Sequence, residues 1–155
     1  MKNAIFPGSF DPFTYGHLDV VKKACDMFNE VVVLICSNPD KHRKFNASVA
    51  QKAITSALHD EGITNCRVVI YNGLVAKYAK DNDIKYLIRG LRNNLDYNYE
   101  ESLALANKQI NPELETIYLR ADKAAISSSM VRQLHMYGED VSKFVPPAIM
   151  KEVFK

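Results

Sequence analysis

Apolar residues along the chain follow two alternating rhythms. Short runs of aliphatic and β-branched residues predict strands at Asn3 to Phe6, Val31 to Cys36, Arg67 to Tyr71, Lys85 to Arg89 and Thr116 to Leu119. Between the first two, Leu18, Val21, Ala24, Cys25 and Phe28 recur three or four apart, which predicts a helix over His17 to Phe28. The same spacing predicts helices over Val49 to Leu58, Leu74 to Lys80 and Asp96 to Gln109. The last of these stops before Asn111-Pro112, because proline disfavours helix in the residue preceding it. Two more are expected near Ser128 to Tyr137 and from Pro147 onward, proline being suited to a first helical turn. The first strand is expected to end at Pro7-Gly8.

Val31 to Cys36 shows no polar alternation, as expected of a strand buried on both faces of a parallel sheet. Strand and helix alternating from end to end imply βαβ crossovers. The expected architecture is a single-domain, doubly wound, five-stranded parallel α/β sheet over residues 1–155, without repeat or linker. Such sheets bind ligands beyond the carboxyl ends of their strands, where strand order reverses. The loops after Phe6, Cys36, Tyr71, Arg89 and Leu119 are therefore the places to look.

Composition narrows the ligand. Twenty basic residues against eighteen acidic ones leave a net charge of +2, too balanced for a generic nucleic-acid binder. The basic residues are clustered instead, at Lys41, His42, Arg43 and Lys44 and at Arg89 with Arg92, and two local patches suit a small anion. Within the first cluster Lys41 stands out, because it follows the second strand, whereas His42, Arg43 and Lys44 are expected to be solvated surface charge. Cys25, Cys36 and Cys66 are odd in number and form no CxxC pair, which fits reduced thiols in a cytoplasmic protein and no zinc site. The N-terminal apolar run breaks at Pro7-Gly8, so no signal peptide is expected, and no run is long enough to span a bilayer.

The loop Gly8-Ser9-Phe10-Asp11-Pro12-Phe13-Thr14-Tyr15-Gly16-His17 opens directly into a helix. Glycine allows close backbone approach, the new helix offers free amides and a positive dipole end, and His17 adds a side-chain donor. Taken singly, Asp11-Pro12 could be only a turn and His17 only a polar helix start. Two separated motifs change that balance. Thr14-Tyr15-Gly16-His17 matches (T/H)-x-G-H, and Ile126-Ser127-Ser128-Ser129-Met130-Val131-Arg132 matches I-S-S-(S/T)-x-(V/I)-R, in the expected order. With them the chain resembles the adenylyltransferase branch of the nucleotidyltransferase superfamily, which implies a Rossmann-like nucleotidyltransferase fold.

Pro7-Gly8-Ser9-Phe10-Asp11-Pro12, Ile88-Arg89-Gly90-Leu91-Arg92 and Tyr97-Asn98-Tyr99-Glu100 are similar to the bacterial phosphopantetheine adenylyltransferase family over nearly the whole chain. That resemblance implies transfer of AMP from ATP to 4′-phosphopantetheine, with dephospho-coenzyme A and pyrophosphate as products. It implies Mg²⁺ on the ATP phosphates, no nucleic-acid or membrane partner, and a homohexamer. By matched position, Ser9 would touch the acceptor phosphate, while the Ser9 and Phe10 backbone meets ATP. His17 would bind the α-phosphate and stabilise the transition state. Lys41 and Arg89 would grip the acceptor phosphate, and Val75 would lie beside the pantetheine arm. Gly90, Leu91, Arg92, Glu100 and the segment Lys123, Ala124, Ala125, Ile126, Ser127, Ser128 and Ser129 would contact ATP. Arg92 is counted with His17, Lys41 and Arg89 among the catalytic groups.

The implied chemistry agrees with the residue types. A phosphate acceptor is already anionic, so no nucleophilic side chain or strong base is required; positioning and fixed donors are. Ser127 to Ser129 can also cap the following helix. Glu100 lies within a helix, where carboxylates usually face solvent, so its role follows from the resemblance. Tyr97 and Tyr99 can be read as core aromatics, and His59 and His135 as surface residues. The chain departs from the family pattern at Ala124-Ala125, a short segment, at Val75, a smaller side chain, and at Asn46-Ala47-Ser48-Val49, a weaker helix start. Rival readings are a sister enzyme acting on nicotinate mononucleotide or glycerol phosphate, and a nucleotide-sensing module without catalysis.

Overall fold

The computed structural model of the chain describes residues 1–36, 42–91, 94–122 and 126–155, and for 94–96 the backbone alone. The elements are β1 (Asn3–Gly8), α1 (Tyr15–Met27), β2 (Glu30–Cys36), α2 (Ala47–Asp60), β3 (Cys66–Tyr71), α3 (Val75–Asp81), β4 (Tyr86–Leu91), α4 (Asn94–Ile110), β5 (Glu115–Arg120), α5 (Ser128–Met136) and α6 (Pro147–Glu152). The strands form one parallel sheet in the order β3-β2-β1-β4-β5. Each element expected from the apolar rhythm is present, with ends displaced by a residue or two.

The period of two along each strand divides the core. Ala4, Phe6, Val31, Val33, Ile35 and Ile88 face one side, where they meet Val21 and Ala24 of α1, Ile54 of α2, Val131 of α5 and Ile149 of α6. Their neighbours Ile5, Val32, Leu34 and Leu87 face the other side, against Ala76, Tyr78 and Ala79 of α3. β2 is therefore buried on both faces, Val31 to Ile35 having no exposed surface.

β1 ends at Gly8 and so includes Pro7-Gly8, two residues beyond the expected Phe6. The strand continues beside β2, with Pro7 opposite Leu34 and Gly8 opposite Ile35, while its pairing with β4 stops at Ile5 opposite Leu87. Proline lacks a ladder donor and is tolerated where pairing on one side has ceased. The Pro7 carbonyl, released from the ladder, accepts instead from Arg89 Nη1 at 2.7 Å. β1 and β4 thus part where strand order reverses, and a crevice opens between them.

Two other expectations change. Asn46 is a complete cap: its side-chain oxygen accepts from the Ser48 and Val49 amides at 2.8 and 3.3 Å, so the absence of threonine there leaves α2 well started. Tyr97 and Tyr99 are not core aromatics. Both are exposed, because α4 turns Glu100 inward and Tyr99, one residue earlier, outward; Tyr97 lies against Tyr118 with ring centroids 5.6 Å apart. Cys25 on α1 and Cys66 on β3, distant in sequence, hydrogen-bond to each other as free thiols, and that contact together with burial pushes the Cys66 thiol up. Among the described residues no helix is long and apolar enough to cross a membrane.

Asn46→Ala should remove the α2 cap and cost about 1 kcal/mol, lowering Tm by about 2–4 °C. Thermal melts followed by circular dichroism will check this.

Candidate active site

A cavity of about 380 Å³ lies over the crevice between β1 and β4. It is lined from four directions: the loop after β1 with the start of α1, His42 and Arg43 after β2, Arg89 and Gly90 at the end of β4, and Ala121 and Ile126 to Ser129 after β5. Of the loops singled out from the strand pattern, only the one after Tyr71 makes no contribution to the lining.

The loop after β1 is shaped by its aromatic residues. Phe10 has a positive φ of 47° and is almost fully buried, its ring edge-on to Phe6 at 5.2 Å and tilted against Phe13 at 5.7 Å. A Cβ on Gly8 would come within 3.0–3.3 Å of the Phe10 ring, so glycine there lets the ring fold back over the strand. Thr14 then caps α1 in a reciprocal arrangement. Its hydroxyl accepts from the His17 amide at 3.3 Å, and the Thr14 amide donates to His17 Nδ1 at 3.0 Å. Because Nδ1 accepts, a neutral His17 ring carries its proton on Nε2 and acts as a donor there. Phe10 packs edge-on against this imidazole at 4.9 Å, and Phe13 lies 5.5 Å from it.

The start of α5 closes the opposite wall. Ser127 caps that helix by accepting from the Met130 amide at 3.1 Å. Ser128 Oγ donates to the Pro12 carbonyl at 2.7 Å, and Arg132 Nη1 donates to the Asp11 carbonyl at 2.6 Å. Two helix N-termini therefore converge on one cavity, each contributing a positive dipole end.

Arg89 and Glu100 form a forked pair, Nε to Oε2 and Nη2 to Oε1, both at 2.7 Å. Glu100 is buried, contrary to the usual behaviour of a helical carboxylate, because this guanidinium satisfies it. The pair and the Pro7 carbonyl use three of the five Arg89 N–H donors and hold its plane at the cavity wall.

Surface charge is the wrong description of Arg43. Its side chain is only 15% exposed and 3.8 Å from Asp11, and it donates to the Phe45 carbonyl at 2.9 Å and to the Ser9 carbonyl. Asp11, buried, also accepts from the Lys44 and Phe45 amides at 2.8 and 2.9 Å. His42 and Lys44 are exposed as expected, with His42 at the cavity rim. Cys36 lines the cavity too, but burial pushes its thiol up, away from the thiolate a nucleophile needs. Behind the wall formed after β5, Lys23 of α1 donates to the Arg120 carbonyl at 2.6 Å and to Asp122 at 2.7 Å. The bond to Lys23 holds the Asp122 carboxyl below its usual range.

Of the residues proposed from sequence, Ser9, Phe10, His17, Arg89, Gly90, Glu100, Ile126, Ser127, Ser128 and Ser129 come together around the cavity. Val75 and Leu91 do not line it. Val75 packs with Val69 and Tyr71 over the second face of the sheet, and the Leu91 carbonyl accepts from the Ala121 amide at 3.0 Å. Lys41, Arg92, Lys123, Ala124 and Ala125 lie outside the described residues. Sequence reasoning missed Asp11 and Arg43, and gave no role to Arg132. No local signal marked them, because the amides that Asp11 binds lie 33 and 34 residues away.

The chain matches the cytidylyltransferase-like family over residues 5–134. It is 42% identical over 154 residues to a phosphopantetheine adenylyltransferase from Thermotoga neapolitana, covering 98% of this chain and 94% of that one. A phosphopantetheine adenylyltransferase from Cytophaga hutchinsonii is 43% identical over 147 residues, 94% of this chain and 97% of its own. Among solved structures, a candidate nicotinate-nucleotide adenylyltransferase from Vibrio parahaemolyticus superposes with a TM-score of 0.76 at 17% identity, over 100% of both chains. That likeness concerns the fold.

Glu100→Gln should leave the Arg89 fork half-satisfied, at a cost of about 1–3 kcal/mol. Urea denaturation should show a lower midpoint with an unchanged slope.

Proposed function

The chain belongs to the cytidylyltransferase-like family, and within it to the phosphopantetheine adenylyltransferases; from that membership we propose how its residues carry out the reaction. It is a nucleotidyltransferase that moves the adenylyl group of ATP to 4′-phosphopantetheine. The observation that carries the site assignment is the meeting of His17 and Ser127 to Ser129, from opposite ends of the chain, in one cavity.

An oxygen of the acceptor phosphate attacks the α-phosphorus of ATP. The bond to the β-phosphate oxygen breaks, and the electron pair leaves with pyrophosphate. The acceptor is already anionic, so the protein needs to align two anions and stabilise charge on the α-phosphate. We assign His17 to that charge as an Nε2 donor, an orientation supported by the Thr14 amide on Nδ1. Arg89, held by Glu100, and Lys41 would take the acceptor phosphate. Ser9, Phe10 and the starts of α1 and α5 would take the ATP phosphates, with Gly90, Arg92 and the segment 123–126 toward the nucleoside.

Magnesium would enter as the counter-ion of the ATP phosphates. Among the described residues, the two carboxylates at the cavity, Asp11 and Glu100, are engaged by Arg43 with backbone amides and by Arg89, so neither is offered as a direct ligand. No step is routed through the ion. A homo-oligomer is supported by the exposed apolar side chains of Tyr97, Leu103, Leu105 and Ile110 along α4. A reducing, cytoplasmic setting is supported by three free thiols.

Purified protein with Mg²⁺, ATP and 4′-phosphopantetheine should release pyrophosphate and form dephospho-coenzyme A. Turnover only with nicotinate mononucleotide, or with glycerol phosphate and CTP, would move the assignment to a sister enzyme. His17→Ala should lower kcat by about 10²–10³ while calorimetric ATP affinity stays largely intact. A rise in KM with kcat unaltered would confine His17 to ground-state binding.

A further inference from the structure

Arg43 and Asp11 build a clamp whose purpose the phosphate contacts do not explain. The Asp11 carboxylate, 7% exposed, accepts from the Lys44 and Phe45 amides at 2.8 and 2.9 Å, and so fixes the chain immediately after Arg43. Arg43 then reaches back, its Nη1 donating to the Ser9 carbonyl and its Nε to the Phe45 carbonyl at 2.9 Å. Its Nη2 is buried beside Asp11 and, among the described residues, makes no hydrogen bond there. Arg43 lines the cavity, and the hydrogen bonds of its guanidinium go to backbone carbonyls.

What it grips is one peptide plane. In a trans peptide the carbonyl and the amide of the next residue point in opposite directions. Fixing the Ser9 carbonyl therefore also fixes the Phe10 amide, which points away from Arg43. Phe10 is held at a φ of 47°, a region that costs an L-residue roughly 1–2 kcal/mol and persists only where its surroundings determine it. The Phe10 ring in turn packs edge-on to His17 at 4.9 Å.

Building on the adenylyl-transfer reading, we propose that Arg43 is a positioning residue for that reaction. Through the Ser9 carbonyl it sets the Phe10 turn, so that the Phe10 amide meets the nucleotide phosphates and His17 keeps its place. Asp11 is the anchor that lets Arg43 do so. Lysine cannot replace it, because a single ammonium does not reproduce a fork that reaches two separate carbonyls.

The test compares Arg43→Lys and Arg43→Met with the parent in the full chain. One arm needs no turnover: in ¹⁵N-labelled protein, the Phe10 amide is followed by NMR while ATP and Mg²⁺ are added. The parent resonance should respond to ATP. In both variants the free-state Phe10 resonance should move or broaden and the response should be lost, while the Val32 and Leu34 amides of the core stay in place. In the kinetic arm kcat should fall by about ten- to a hundredfold, with the KM for phosphopantetheine changed by about threefold or less. Should Arg43→Met not fold, Arg43→Lys alone decides. An unmoved Phe10 amide, a Phe10 shift accompanied by equal shifts of the core amides, or a kcat for Arg43→Lys within about twofold of the parent each overturns the proposal. A parent protein inactive with phosphopantetheine would instead strike at the adenylyl-transfer reading, and the NMR arm would still report whether Arg43 sets the turn.

Discussion

Four carbonyls near the end of β1, those of Pro7, Ser9, Asp11 and Pro12, each accept a hydrogen bond from a side chain of another segment. The donors are Arg89 of β4, Arg43 after β2, and Arg132 and Ser128 of α5. Buried backbone oxygens must be paired, and an irregular loop cannot pair them with itself. Here the partners come from three of the segments that wall the cavity. The loop therefore takes its shape only when the sheet and α5 are in place, and the cavity forms with it.

The arrangement has an electrostatic consequence. With these carbonyls committed to side-chain donors, the cavity is left to groups that favour anions: the starts of α1 and α5, the Nε2 side of His17 and the face of Arg89. Among the described residues, the two acidic ones at the wall do not cancel this. Asp11 is engaged by Arg43 and two amides, and Glu100 by the forked bond to Arg89. Each carboxylate serves to orient a guanidinium or a loop, so its negative charge is spent on a local partner instead of opposing an anion in the cavity. The small net charge of the chain gives no hint of this, because the separation of sign is local.

The sheet and its helices were legible from the apolar rhythm because strand and helix periods are properties of neighbouring residues. Val31 to Ile35 could be read as doubly buried since no polar residue interrupts them, and the structure leaves them without exposed surface. Where the reading of β1 stopped short, at Pro7-Gly8, the missing fact was tertiary: β4 has already diverged there, so a proline that would break a paired strand is harmless. Tyr97 and Tyr99 misled for a similar reason, since aromatic character alone does not say which side of α4 meets the sheet.

Sequence alone sufficed for the alternating fold, the two helix starts that meet at the cavity and the residue types at their tips. A capping threonine, a glycine and a histidine within one turn act through bonds no more than three residues long, as the Thr14–His17 contacts show. Only the tertiary structure decided that Glu100 is buried against Arg89, that Arg43 is part of the wall and not of the surface, and that Ser128 and Arg132 support a loop more than a hundred residues earlier. Those bonds join residues 11, 34, 116 and 121 positions apart. A charged side chain carries no local mark of its distant partner; burial and pairing arise only when the sheet brings the two together.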